Sequence, residues 1–168
     1  KFHVFVDHFM KPEVIHMHFY PEYENSTGPE KTPFEFIPGQ FITLLFDHPD
    51  KVKRRSYSIS TIPNQENGIE FAISYIKGGI ASEALFNIKP STVINAMGPA
   101  GKLIIKDDPE FKRYILVGTG TGIAPYRSML PDLAKRLEQD PSFEVDLVYG
   151  NRKREDLFYI DDFLNLAK

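Results

Sequence analysis

The apolar residues change their period partway along the chain, and that change restricts the fold to two dissimilar parts. Up to about Met97, short runs rich in β-branched and aromatic residues recur at 2–6, 14–20, 40–46, 56–60, 69–76 and 93–97. Turn residues separate them: Pro21 through Asn25, Pro38-Gly39, Pro49-Asp50 and Pro63-Asn64. Strands at this spacing predict a small antiparallel barrel, interrupted by one short helix over 82–88 that ends before Pro90. From Tyr114 the order becomes strand, glycine-rich turn, helix. Residues 114–117 read as a buried parallel strand, and 126–137 carry Met129, Leu130, Leu133 and Leu137 at helical spacing. A second strand over 143–149 and a helix beginning at 160 follow. The expected organisation is β plus α/β: an antiparallel barrel over 1–108, then a parallel α/β domain over 109–168, joined by the linker 107–112. Two parallel strands cannot alone build a sheet covered by helices on both faces, so the second domain is expected to continue past Lys168.

Composition removes several function classes. The 20 basic and 23 acidic residues leave a formal charge of −3, which offers no basic face to nucleic acid. The chain has no cysteine, so thiolate catalysis, zinc ribbons and cysteine-held iron–sulfur clusters are excluded within it. Its lack of cysteine fits a reducing compartment, and a soluble, cytoplasmic protein is the expectation. No apolar run is long enough to span a bilayer. His16 and His18 would put two imidazoles on one strand face. With no acidic cluster near them in the sequence, ordinary strand histidines are expected and no metal.

Four segments can carry chemistry. In Arg54-Arg55-Ser56-Tyr57-Ser58-Ile59-Ser60, strand alternation sends Arg55, Tyr57 and Ile59 one way and the three serines the other. A cation and an aromatic on one face suit an anion beside a flat ring; an exposed strand with solvated arginines fits as well. Tyr75-Ile76-Lys77-Gly78-Gly79-Ile80-Ala81-Ser82 leads into the short helix. Its glycines let backbone amides approach an anion at a helix start, with Ser82 as N-cap or phosphate ligand; a simple capped turn is the alternative. Gly118-Thr119-Gly120-Thr121-Gly122-Ile123-Ala124-Pro125 follows a strand and opens a helix, the context of a phosphate-cradling loop. It misses the third glycine of the usual dinucleotide fingerprint and lacks the Gly-Lys-Ser/Thr of a P-loop, which disfavours nucleotide hydrolysis. Arg152, Lys153 and Arg154 make the end of the second parallel strand basic. That is suited to a 2′-phosphate rather than a bare ribose hydroxyl, or else to a solvated turn.

Together, in this order, the segments resemble the ferredoxin–NADP⁺ reductase superfamily. Arg55-Ser56-Tyr57-Ser58 is similar to its Arg-x-Tyr-Ser/Thr flavin motif, and Gly79-Ile80-Ala81-Ser82 to its Gly-x-x-Ser pyrophosphate motif. Pro38-Gly39-Gln40-Phe41 and Gly98-Pro99-Ala100-Gly101 resemble two of its recurrent turns. The stretch from Gly118 through Tyr126-Arg127-Ser128 resembles its nicotinamide-nucleotide loop, and Asp156-Leu157-Phe158-Tyr159 the segment after its second strand.

The resemblance implies an antiparallel flavin-binding β-barrel followed by an incomplete nicotinamide-nucleotide-binding domain. It further implies FAD rather than FMN, NADP(H) as substrate, and hydride transfer at flavin N5. Tyr57 would lie against the isoalloxazine and Ser58 near N5. Arg55 and the turn from Tyr75 and Lys77 through Gly79, Ile80, Ala81 and Ser82 would hold the flavin phosphates. Gly118, Thr119, Gly120, Thr121 and Gly122 would take the nicotinamide-nucleotide pyrophosphate, with Arg152 and Arg154 on a 2′-phosphate. Ferredoxin, flavodoxin or a fused acceptor domain would be the partner. The reductase component of an oxygenase using NADH, and a non-catalytic binding module, are the alternatives. The family's later Cys-Gly segment and C-terminal tail would lie beyond Lys168.

Overall fold

A computed structural model describes residues 2–11, 13–22, 34–63, 68–106, 108 and 110–166. The expected turns at 23–25 and at Asn64, and parts of the linker, lie outside the described residues. The first part holds β1 (Phe2–Lys11), β2 (Val14–Pro21), β3 (Phe41–Phe46), β4 (Lys53–Ser58), β5 (Ile69–Ser74), α1 (Ile80–Phe86) and β6 (Val93–Ala100). These strands form one antiparallel sheet in the order β4-β3-β6-β1-β2-β5. One face of it buries Ile15, Met17, Phe19, Ile42, Leu44, Phe71 and Ile73, with Leu85 of α1 completing the core.

Closure differs from expectation. Among the described residues no ladder joins the edge strands β4 and β5, so the sheet is curled but not a closed barrel. Just past β4, the Ser60 amide donates to the Glu70 carbonyl at 2.9 Å and the Glu70 amide to the Thr61 hydroxyl at 2.7 Å. Past Ser58 the pairing with the β3 side continues for one more bond, from the Ile59 amide to the Gln40 carbonyl at 3.0 Å.

The second part holds β7 (Arg113–Thr119), a 3₁₀ turn over Gly120–Ile123, α2 (Ala124–Ser128), α3 (Leu130–Gln139), β8 (Glu144–Gly150) and α4 (Ile160–Leu166). β7 and β8 pair in parallel, as expected of a βαβ unit. The expected single helix over 126–137 is two helices that meet at Met129. Pro131 supplies no amide to the turn before it, and a proline ring there crowds the carbonyl four residues back, which breaks the helix. The break lets Met129 turn into a core with Leu133 and Phe143.

The two parts share an apolar cluster. Ala72 lies on the face of β5 away from the barrel core and packs with Ile123, Ala124, Leu130, Phe158 and Phe163 of the second part. This burial, together with the polar contacts described next, fixes α2 against the β-sheet.

Candidate functional site

The Arg-Ser-Tyr-Ser segment forms the last four residues of β4, an edge strand paired only to β3. Its register sets Tyr57 beside Ile42 and Arg55 beside Leu44, on the core side, and Ser56 and Ser58 beside Thr43 and Phe41 on the other. The Ser56 and Thr43 hydroxyls confirm the pairing at 2.8 Å. The Tyr57 ring stands 6.1 Å from Phe71, and burial pushes its phenol up to about 12, the Arg55 cation pulling the other way. The phenol therefore stays neutral at physiological pH and offers a ring and a hydroxyl, not a charge. Arg55 is exposed at the strand edge with Nη1 donating to the Arg54 carbonyl at 2.7 Å, and Ser58 is half-buried.

β5 ends at Ser74, and Tyr75 to Gly79 make the turn into α1. Gly79 is the N-cap and provides no side-chain cap, so the first-turn amides of Ile80, Ala81 and Ser82 need an acceptor from outside the helix. Ser82 is not the N-cap expected from its sequence position. It is buried in the first turn, where its hydroxyl accepts from the Ile76 amide at 3.0 Å and braces the loop. Gly78 adopts φ +72° with open space where a side chain would stand, leaving the turn accessible. Tyr75 donates its hydroxyl to Glu83 at 2.5 Å, and this bond raises the phenol and lowers the carboxyl. Lys77 is exposed at the tip.

The glycine-rich loop leaves β7 at Gly118. A Cβ there would meet the Gly122 carbonyl at 3.2 Å, so a side chain would crowd the loop against its own strand. Gly120 has φ +52° and its carbonyl accepts from the Tyr149 hydroxyl at 3.2 Å, while Gly122 faces open space. Thr119 is exposed; Thr121 accepts from the Ser74 hydroxyl at 3.4 Å, so the loop touches β5 one residue before Tyr75. A cleft of about 410 Å³ opens there, lined by residues that include Ser74, Tyr75, Gly120, Arg152, Lys153 and Asp156. Arg152 faces it together with Lys153 of the same basic segment. Arg154 is exposed in a 3₁₀ turn over Arg154–Asp156 and is not among the lining residues.

His16 and His18 belong to a buried polar cluster whose other members, Glu70 and Arg127, sequence reasoning did not connect to them. Glu70 of β5 stands opposite His18 of β2 in the register, and their side chains meet at 2.5 Å, with His16 Nε2 at 3.5 Å. An acid is thus next to the two histidines after all, delivered by strand pairing rather than by sequence proximity. The three residues hold ligand-type atoms all within 4.8 Å of one another. From α2, Arg127 reaches in: Nη1 donates to Glu70 Oε2 at 2.5 Å and to the Ser60 carbonyl at 3.0 Å, and Nε to Asp162 at 2.7 Å. Its guanidinium lies 4.6 Å from the Tyr159 ring centroid, and the Tyr159 hydroxyl donates to Ser60 Oγ at 3.3 Å. Burial alone would raise the Glu70 carboxyl, but hydrogen bonds from His16 and His18 and the Arg127 charge hold it well below the usual carboxylate range. The only sequence signal for Arg127 was its place right after the glycine loop.

The donor set fits a flavin dinucleotide and a nicotinamide dinucleotide. An uncapped helix start and a cation-flanked aromatic strand lie on one side, and a glycine loop with two cations on the other.

Comparison with known proteins agrees with this arrangement. Residues 23–105 match the oxidoreductase FAD-binding domain family and residues 116–168 the oxidoreductase NAD-binding domain family. A ferredoxin–NADP reductase B from Sorangium cellulosum is 32% identical over 135 residues, covering 80% of this chain and 54% of that protein. Methane monooxygenase component C from Methylosinus trichosporium is 33% identical over 134 residues, covering 79% of this chain and 37% of that protein. The chain thus spans about half, or less, of the length of these relatives. The crystal structure of a ferredoxin NADP⁺ reductase from Neisseria gonorrhoeae with bound FAD and NADP superposes with a TM-score of 0.74. It is 23% identical, over 98% of this chain and 62% of that one, a likeness of fold.

Proposed function

Because the chain belongs to the ferredoxin–NADP⁺ reductase superfamily, we propose that it is the flavin-binding part and the start of the nicotinamide-binding part of a reductase that moves electrons between NADPH and a small redox protein. The observation that carries this reading is the Ser74–Thr121 contact. It brings the loop of the second part against the end of β5, just before the turn that leads to α1, and a cleft lined by Ser74, Tyr75, Gly120 and Arg152 opens there. FAD, when bound, supplies the chemistry: it takes up a hydride at N5 and can release electrons singly.

The chain's own residues bind and orient. Tyr57 gives a neutral ring for the isoalloxazine to lie against, and Ser58 a hydroxyl for hydrogen bonding near N5. Arg55 and the amides of Gly79, Ile80, Ala81 and Ser82 hold the flavin pyrophosphate. Two such devices on one cofactor suit FAD better than FMN. Tyr75 and Lys77 border that site. Gly118, Thr119, Gly120, Thr121 and Gly122 take the nicotinamide-nucleotide pyrophosphate, and Arg152 with Lys153, and Arg154 from the rim, take a 2′-phosphate. We divide the chain at residues 108 and 109, in the stretch between β6 and β7. Ferredoxin, flavodoxin or a fused acceptor domain completes the electron path. The cysteine-free composition supports a cytoplasmic setting; no described helix is long and apolar enough to cross a membrane.

A second reading, an oxygenase reductase component that uses NADH, is favoured by one feature. Asp156 lines the same cleft as Arg152, and a carboxylate there can accept a ribose 2′-hydroxyl. The first test is the visible spectrum of the purified protein, with the released cofactor identified by chromatography. A flavin spectrum with FAD released supports the proposal, and anaerobic titration then ranks NADPH against NADH. A protein that stays colourless with both FAD and FMN would overturn it in favour of a non-catalytic binding module.

A further inference from the structure

Arg127 has no role in the phosphate-binding devices described above, yet its guanidinium makes hydrogen bonds to both parts. It projects from α2, the helix that the glycine loop opens into, and its side chain is only 14% exposed. Its partners come from both parts. Glu70 and the Ser60 carbonyl belong to the flavin-binding part, and Asp162 and the Tyr159 ring to the second. Ser60 lies two residues beyond Ser58 on the same chain segment, so a single guanidinium bridges the strand end that carries Ser58 and the helix that carries the loop. Glu70 is itself held from the other side by His18 at 2.5 Å and His16 at 3.5 Å. The acceptor is therefore fixed before Arg127 meets it, a preorganised socket rather than a flexible surface carboxylate.

We infer that Arg127 is a positioning residue, whose insertion between Glu70, Ser60 and Asp162 sets where the nicotinamide-nucleotide loop stands relative to Tyr57 and Ser58. This rests on the proposed function and extends it: the loop binds the nucleotide, and Arg127 decides whether the bound nucleotide reaches the flavin at the reacting distance. Placement within such a pair matters steeply, because an error of about 1 Å costs on the order of 100-fold in rate. The loop's own amides are untouched by Arg127, so nucleotide affinity is expected to depend on it far less than the rate does.

Arg127 also argues against a cation at His16, His18 and Glu70. Its guanidinium already neutralises the carboxylate from the Oε2 side, so a divalent ion on Oε1 would sit against a like charge.

The test compares the parent, Arg127→Lys, Arg127→Gln, Glu70→Gln and the Glu70→Gln/Arg127→Lys pair, in the full natural chain. Flavin content, unfolding midpoint in urea, NADPH Kd and the limiting rate of flavin reduction are read separately. Expected are unchanged flavin content, a Kd within about threefold of the parent, and a limiting rate lowered about 10- to 100-fold in Arg127→Gln. Arg127→Lys keeps the charge and loses the fork, so it should recover part of the rate. In urea, without nucleotide, the pair should fall short of the sum of the single effects. Variants with lowered midpoints but parental limiting rates would make Arg127 a merely structural contact and overturn the inference. A parent that binds no flavin, or whose flavin NADPH does not reduce, sinks the proposed function and this role together. Zinc chloride is expected to leave the parent's melting temperature unchanged; a rise that His18→Ala abolishes would make the cluster a cation site and overturn the clamp.

Discussion

The amide of Gly39 donates to the hydroxyl of Ser128 at 2.9 Å across 89 residues of sequence, joining the turn before β3 to the end of α2. Ser128 passes the bond on to the Pro125 carbonyl at 2.7 Å and is fully buried. A Cβ on Gly39 would fall 1.8 Å from the Leu103 carbonyl oxygen and 2.4 Å from Met129, and its φ is +95°. Gly39→Ala is therefore expected to destabilise by roughly 3 kcal/mol, from overpacking and an unfavourable backbone together. Ser128→Ala strands the Gly39 amide and should cost about 1–3 kcal/mol. Urea unfolding of both variants checks the two numbers.

Glu70 gives a pH signature. Its folded carboxyl lies below its ordinary value of 4.5, so it is deprotonated more readily folded than unfolded. The stability this supplies is full above pH 4.5 and is lost as acid takes the pH below that value toward the folded one. Glu70→Gln should lower the urea midpoint at neutral pH and flatten the acid limb. An acid limb as steep as the parent's would show that other carboxylates set it.

Ser58 is half-buried on the outer face of β4, beside Phe41. If its hydroxyl serves the reacting end of the flavin and not its anchoring, Ser58→Ala retains flavin and reduces slowly. A loss equivalent to one hydrogen bond, about 1–1.5 kcal/mol, slows reduction about tenfold. Stopped-flow reduction at the parental rate would remove Ser58 from the chemistry.

Arg152 lines the cleft and Arg154 does not. Arg152→Ala is expected to weaken NADPH about 10- to 100-fold, the worth of one charge-assisted bond, and to leave NADH nearly unchanged. Arg154→Ala should have the smaller effect. Equal losses for both nucleotides would move Arg152 from the 2′-phosphate to the shared pyrophosphate. Titration of flavin absorbance with each nucleotide distinguishes the two.

Local pattern was enough for the elements and for the devices built from consecutive residues. The run of β-branched and aromatic residues at 40–46 named a strand, and β3 is that strand, with Ile42, Leu44 and Phe46 buried. The glycines at 118 and 120 announced a loop that passes close to its own backbone or turns left-handed, and the structure shows a tight approach at Gly118 and φ +52° at Gly120. Ser82 shows the limit. Its distance from the helix start depends on where the turn after β5 ends, and tertiary packing placed that start at Gly79.

The amino-acid sequence by itself determined the period of each segment, the order of strands and helices, and the chemistry available at each turn, since all of these depend on neighbours a few residues apart. Tertiary structure alone decided which distant groups would meet. Strand register put Glu70 against His18, and the packing of α2 brought Arg127 to the same carboxylate. It also decided that, among the described residues, no ladder joins β4 to β5, which leaves the sheet unclosed. Such meetings depend on the packing of whole elements, and no window of sequence short enough to carry a pattern contains both partners.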